Sequence, residues 1–226
     1  MERDKDHFRI KIYSKFRLRH ILIRMAISAS LKRTLILVNG AYILGFAAYY
    51  VSIRNYEFLW YVAILIFFFS LILFTIEKSK FPPFILWGLS LWGLFHMAGG
   101  GVRIGEKVLY AQPLIHLFGE GESLVLKYDQ VVHAFGFMMA TFVVYHLLKK
   151  YLIPNSTHGV IYFVSACAGM GLGALNEIVE FIPVALGFQT GVGGYFNTAI
   201  DLVFNGLGAL IAILVIHVRR KKKLAL

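Results

Sequence analysis

The chain has 226 residues, of which 58% are hydrophobic and only 15% charged, with a net charge of +11 and a mean hydropathy of +0.70. A soluble domain carries about 25% charged residues, so this chain has too little charge to cover a water-facing surface. Disorder, collagen, a disulfide scaffold and a soluble nucleotide-binding domain are excluded, and an integral membrane protein is what the composition describes.

The basic charge sits at the ends. Ten of the 23 Lys and Arg residues lie in the first 33 positions, and five more, Arg219 to Lys223, close the chain. Residues 1–33 therefore read as a basic cytoplasmic arm that meets anionic lipid headgroups, with no nucleic-acid partner implied. From Phe8 to Leu18 apolar and basic residues alternate, which suits a segment lying on the inner membrane surface or an ordinary disordered arm. The basic region is too long for a cleaved signal peptide, and no A-x-A-like site follows the first apolar run.

A bilayer-spanning helix needs about 20 mostly apolar residues. Residues 34–83 hold two such runs, Thr34 to Ile53 and Phe58 to Ile76. Residues 84–218 hold four more and form the core module. They run from Phe84 to about Val102, Gln130 to Leu148, Val160 to about Ile182 (stopped by Pro183), and Thr198 to Val218. Residues 219–226 are a basic cytoplasmic tail. The predicted fold is an all-α polytopic membrane helix bundle of about six transmembrane helices. Gly187 to Asn197 is uncharged with four glycines and reads as a mobile lid or a flexible turn. Cys167, the one cysteine, sits in an apolar run and reads as a small packing residue.

Six spans put both termini on one side. That side carries 19 of the 23 basic residues and the other carries 4, so the expected placement is the inner (plasma) membrane with both termini cytoplasmic. Reporter fusions after Lys150 and after Leu226 should report cytoplasm, and one between Glu120 and Ser123 the outside. An inside signal at Ser123 overturns the span count.

Acids within apolar spans cost about 2.5–3.5 kcal/mol each at a helix centre and need partners or a function. Asp129 and His133, Glu177 and Glu180, and Asp201 and Asn205 are spaced i,i+4, i,i+3 and i,i+4, so each pair shares a helix face. With Asn176, and with His96 near the end of the third span, they fall within roughly 10 Å of one depth, just below the outer interface. Close approach of the helices is signalled by Gly169-x-x-x-Gly173 and by Gly206 and Gly208. The catalytic candidates are Asp129, His133, Glu177, Glu180 and Asp201. His133, Glu177, Glu180 and Asp201 are also candidate ligands for a divalent metal, with His96, Asn176 and Asn205 in support. Oxygen ligands would favour Mg, Mn or Ca, and added histidines Zn or Fe. Each element also has a plain alternative: an interfacial acid at Asp129, an interhelical hydrogen bond at His133 or Asn205, a helix end at His96.

Tyr128-Asp129-Gln130-Val131-Val132-His133, Asn176-Glu177-Ile178-Val179-Glu180 and Asp201 to Gly208 resemble the core of the YjdF-like family of uncharacterised bacterial inner-membrane proteins. His96 with its glycines and Tyr110-Ala111-Gln112-Pro113 fit the same pattern, so the resemblance covers roughly residues 90–212. More distantly, the D-x3-H, E-x2-E and D-x3-N-x2-G order resembles the VanZ-like family, whose founding members are tied to glycopeptide (teicoplanin) resistance. An extra N-terminal pair of spans and a long loop after the third span depart from it. The resemblance implies a fold and supplies no reaction.

No G-x-S-x-G elbow, P-loop or H-E-x-x-H motif occurs. Three functions fit the cluster. It is an outer-leaflet enzyme site acting on a lipid or lipid-linked envelope substrate, a cation- or proton-coupled transport site, or part of a structural or accessory membrane subunit. The shallow depth favours the first over the second.

Overall fold

A computed structural model describes residues 28–116, 125–149, 158–188, 190–191 and 193–224. Residues 1–27, with most of the basic arm and its alternating segment, lie outside them. The described residues form an all-α polytopic bundle of six helices. They are α1 (Ala29–Ser52), α2 (Tyr56–Ser79), α3 (Pro83–Gly101), α4 (Tyr128–Leu148), α5 (His158–Ala185) and α6 (Tyr195–Leu224). Five of them are long and apolar enough to cross a membrane. The other, α3, has 19 residues; at 1.5 Å per residue it still nears the thickness of the hydrocarbon core, about 30 Å.

Helix ends follow local chemistry rather than the apolar runs. α1 begins at Ala29, inside the stretch read as arm, because the Ser28 side chain accepts from Leu31 N at 3.1 Å. The Asn55 side chain likewise accepts from Phe58 N at 3.0 Å and starts α2. Pro83 takes the first turn of α3, where its missing N–H costs nothing.

Pro183 does not stop α5; the helix continues to Ala185. The stop comes at Gly187, whose φ of +80 allows a left-handed residue. Gly187 N then bonds Val184 O and Phe188 N bonds Pro183 O, both at 3.0 Å. α6 starts at Tyr195, so the glycine-rich connection is shorter than the sequence suggests, and Gly191 N donates to Glu57 Oε2 at 2.8 Å. α6 also runs on to Leu224, which makes most of the basic tail helical. Cys167 is exposed on α5 and is not a packing residue.

Between α3 and α4 the described chain forms two antiparallel ribbons. One is β1 (Arg103–Ile104) with β2 (Lys107–Val108); the other is β3 (Pro113–His116) with β4 (Val125–Lys127). A short 3-10 turn, Leu109–Ala111, lies between them.

α4 is the central element, packed against α6, α5 and α3, while α1 packs on α3 and α2. Two apolar clusters occupy the two ends. Ile76, Phe81, Ile85, Met139, Phe142 and Ile216 fill the end that holds the C-terminus of α4. Ile43, Tyr50, Phe58, Tyr61, Val62 and Met97 fill the other, under the ribbons. There the Tyr50 hydroxyl donates to Met97 O. Large apolar side chains such as Phe74, 85% exposed, and Leu44, Phe163 and Leu214 point outward, as lipid-facing residues do.

α4 and α6 come together backbone to backbone. A Cβ at Gly208 would overlap the Ala134 carbonyl, so no other residue fits without moving a helix. On α5 the buried positions Ser165, Gly169, Gly173 and Glu177 recur every four residues. They present a narrow face of small groups that ends in an acid.

Candidate functional site

The helix ends set the depth of the polar residues. Asp129 is in the first turn of α4 and His133 one turn in. Asp201 is in the second turn of α6, Glu180 in the penultimate turn of α5 and His96 near the end of α3. At 1.5 Å per residue each lies within about 12 Å of the same end of the bundle. Three helices thus bring Asp129, His133, Glu177, Glu180, Asp201 and Asn205 into one volume.

His133 is the hub. It is buried, with Nδ1 3.0 Å from Asn205 Oδ1. Its Nε2 lies 3.5 Å from Asp129 Oδ1, and its Nδ1 also lies 3.5 Å from Glu177 Oε1. Two sets of three residues bring ligand atoms within 4.8 Å of one another: Asp129, His133 and Asp201, and His133, Glu177 and Glu180. No Lys or Arg occurs in α4, in α5, or in α6 before Arg219. Carboxylates gathered this way need a cation or protons.

Two amides missed in the sequence complete the first set. Gln130 Nε2 donates to Asp201 Oδ1 at 2.9 Å, while Gln130 Oε1 accepts from Lys127 N at 2.8 Å. The backbone bond fixes which end of the amide is which, so Oδ1 of Asp201 must be an acceptor. Asn197 Nδ2 donates to Asp201 Oδ2 at 2.6 Å and reaches Asp129 Oδ2 at 3.3 Å. Asp201, 1% exposed, is therefore held from both sides. The signal for Asn197 was present: Asn197, Asp201 and Asn205 repeat every four residues on one face.

The second set is less tied. Asn176 Nδ2 donates to Glu180 Oε1 at 2.7 Å. Glu177 Oε1 and Asn205 Nδ2 are buried and make no hydrogen bond among the described residues. Such groups cost free energy unless something else meets them.

His96 stands apart from both sets. Its Nδ1 is hydrogen-bonded to the Tyr110 hydroxyl, and its ring packs 5.3 Å from Tyr61 and 6.0 Å from Phe58, centroid to centroid. His96 and His133 share the wall of a small cavity with Trp92, Val132, Phe137 and Asn176. Burial pushes the Tyr110 phenol well above its ordinary pKa, and the nearby Asp129 and Glu180 carboxylates push the same way, so it stays protonated.

The fold and this cluster define a polytopic membrane helix bundle with a buried histidine–carboxylate site near one end. A family model described as "Predicted membrane protein (DUF2238)" matches residues 34–222, and the chain belongs to that family. The match supports an uncharacterised membrane family, as the YjdF-like resemblance implies, and does not extend to the VanZ-like one. No curated protein and no solved structure matches the chain.

Proposed function

We propose that this protein is a membrane enzyme that uses a divalent cation, held by Asp129, His133 and Asp201, on a lipid or lipid-linked substrate at the outer leaflet of the inner membrane. The observation that carries this reading is the orientation of His133. Its Nδ1 donates to Asn205 Oδ1, which leaves the Nε2 lone pair on the side of the Asp129 carboxylate. A lone pair facing a carboxylate is repulsive; a proton or a cation between the two relieves the repulsion, and the Asp201 carboxylate within 4.8 Å of both supports the cation. Asn205 then plays the part of the outer partner that fixes the tautomer of a ligating histidine, and Gln130 and Asn197 orient the ligating acid. One imidazole with two carboxylates suits Mn, Fe or Zn.

The same tautomer cannot use Nδ1 as a ligand, so Glu177 and Glu180 are free for another role. A cation at Asp129, His133 and Asp201 would polarise an ester or phosphoester oxygen. Glu177, with its unbonded Oε1, would take the proton of the attacking water. Trp92, Val132 and Phe137 give the small adjoining cavity three apolar walls, opposite His96, His133 and Asn176.

Element analysis and thermal melting, with and without chelator, test this together with mass spectrometry of co-purifying lipid. The parent should hold about one cation per chain and melt lower after chelation. Glu177→Gln should keep the cation and lose at least about 100-fold in turnover of the co-purified lipid. A cation-free parent indifferent to chelator overturns the reading.

A cation- or proton-coupled transporter is the second reading. It is favoured by the buried polar positions that continue inward from Glu177, with Thr141 and Ser165 fully buried and the Ser165 hydroxyl unbonded among the described residues. Proteoliposome flux that Ser165→Val abolishes would replace the enzyme reading with this one.

A further inference from the structure

The aromatic box around His96 lies outside both ligand sets, yet it shares a cavity with His133. Tyr110 reaches it from the 3-10 turn between the ribbons. Its hydroxyl is hydrogen-bonded to His96 Nδ1 and makes no other hydrogen bond among the described residues; in the tautomer that gives the hydroxyl proton an acceptor, it donates to Nδ1. An imidazole that accepts at Nδ1 is neutral and carries its proton on Nε2. Nε2 has no partner among the described residues, and the ring lines the cavity. In that tautomer His96 ligates no cation with either nitrogen and is set up as a donor.

We propose that His96 Nε2–H is the site's hydrogen-bond donor to an anionic oxygen of the ligand, a phosphate or phosphoester, and that Tyr110 is the positioning residue that locks it in that tautomer. The inference rests on the reading above, in which a cation at Asp129, His133 and Asp201 binds another oxygen of the same ligand. The division of labour follows from charge. The cluster's own carboxylates repel an anion, and no Arg or Lys occurs in α4, α5 or the membrane part of α6. Within the helices, attraction for an anion is then left to a cation and to neutral donors, of which the His96 Nε2–H faces the cavity. The box supplies rigidity: Gly99 leaves the space that the Tyr110 ring fills, Phe58 packs tilted against the imidazole and Tyr61 meets it edge-on.

The test uses histidine-labelled protein in lipid nanodiscs without added metal. Nitrogen resonances, with the His96 signals assigned by their loss in His96→Phe, should show Nε2 protonated and Nδ1 bare. Tyr110→Phe should shift His96 toward a mixture of tautomers. With Mn2+ present, affinity for inorganic phosphate should fall at least about tenfold in His96→Phe, the scale of a hydrogen bond to a charged group. Mn2+ stoichiometry should not change. The double variant His96→Phe with Tyr110→Phe leaves no orphaned hydroxyl and keeps the comparison valid if the single variant folds poorly. A proton on Nδ1 in the parent, or phosphate affinity indifferent to His96, overturns the proposal. If the parent binds no Mn2+, the enzyme reading fails. The donor role is then decided by whether phosphate moves the His96 Nε2 resonance in metal-free protein, and no movement ends it.

Discussion

Asp201→Asn is expected to lower divalent-cation affinity more than about 100-fold, because even outer-shell partners of a metal ligand are worth 10–100-fold and Asp201 is proposed as a ligand. The substitution keeps shape and volume. It removes one charge and turns one acceptor into a donor. Gln130 cannot rotate its amide to compensate, since its Oε1 is already taken by Lys127 N. A donor now faces either Gln130 Nε2 or Asn197 Nδ2, both of which point at this carboxylate. The expected cost is about 1–3 kcal/mol in the cation-free state. Element analysis and melting curves separate the two effects. The parent should lose stability on chelation, and the variant should start low and ignore chelator. A variant that binds as much cation as the parent would remove Asp201 from the ligand set.

Much of this arrangement can be read in the sequence, and the rest cannot for identifiable reasons. The spans are legible because a bilayer demands about 20 apolar residues at a stretch, and charges such as Arg54 and Glu77 mark their ends. Their exact limits are not legible, because caps decide them: Ser28 and Asn55 start helices, and Gly187 rather than Pro183 ends one. The convergence of Asp129, His133, Glu177 and Asp201 follows from i,i+4 spacing together with alternating span direction. The division of these residues around the two nitrogens of one imidazole does not, since it depends on Asn205 meeting Nδ1. Gln130 and Asn197 escape notice because a polar amide at a span boundary looks like the boundary itself. Tyr110 pairs with His96 through a loop of two short ribbons, and no periodicity in the chain announces that contact.

Gly208→Ala should be the most destabilising single-methyl change in the protein, at about 3 kcal/mol. The added Cβ would meet the Ala134 carbonyl oxygen and carbon and the Met138 nitrogen, all backbone atoms of α4. No side chain can turn aside to make room, so α4 and α6 must separate. Gly171→Ala and Gly206→Ala are the controls. A Cβ at Gly171 meets nothing within 4 Å, and one at Gly206 meets only the Met170 side chain at 3.4 Å. Both should melt at or slightly above the parent, because Ala favours a helix over Gly by about 1 kcal/mol. The effect should also reach the site. Asp129 and His133 ride on α4, Asp201 and Asn205 on α6, and the Gln130–Asp201 and His133–Asn205 bonds span the gap at 2.9 and 3.0 Å. Separation by even a few tenths of an ångström lengthens both bonds at once, so cation affinity should fall in Gly208→Ala although no ligand has changed. Melting and cation titration on the three variants measure both consequences. A Gly208→Ala protein that melts with the Gly171→Ala control would show that the helices do not meet backbone to backbone, and one that melts low but binds cation normally would show that the site does not depend on their spacing.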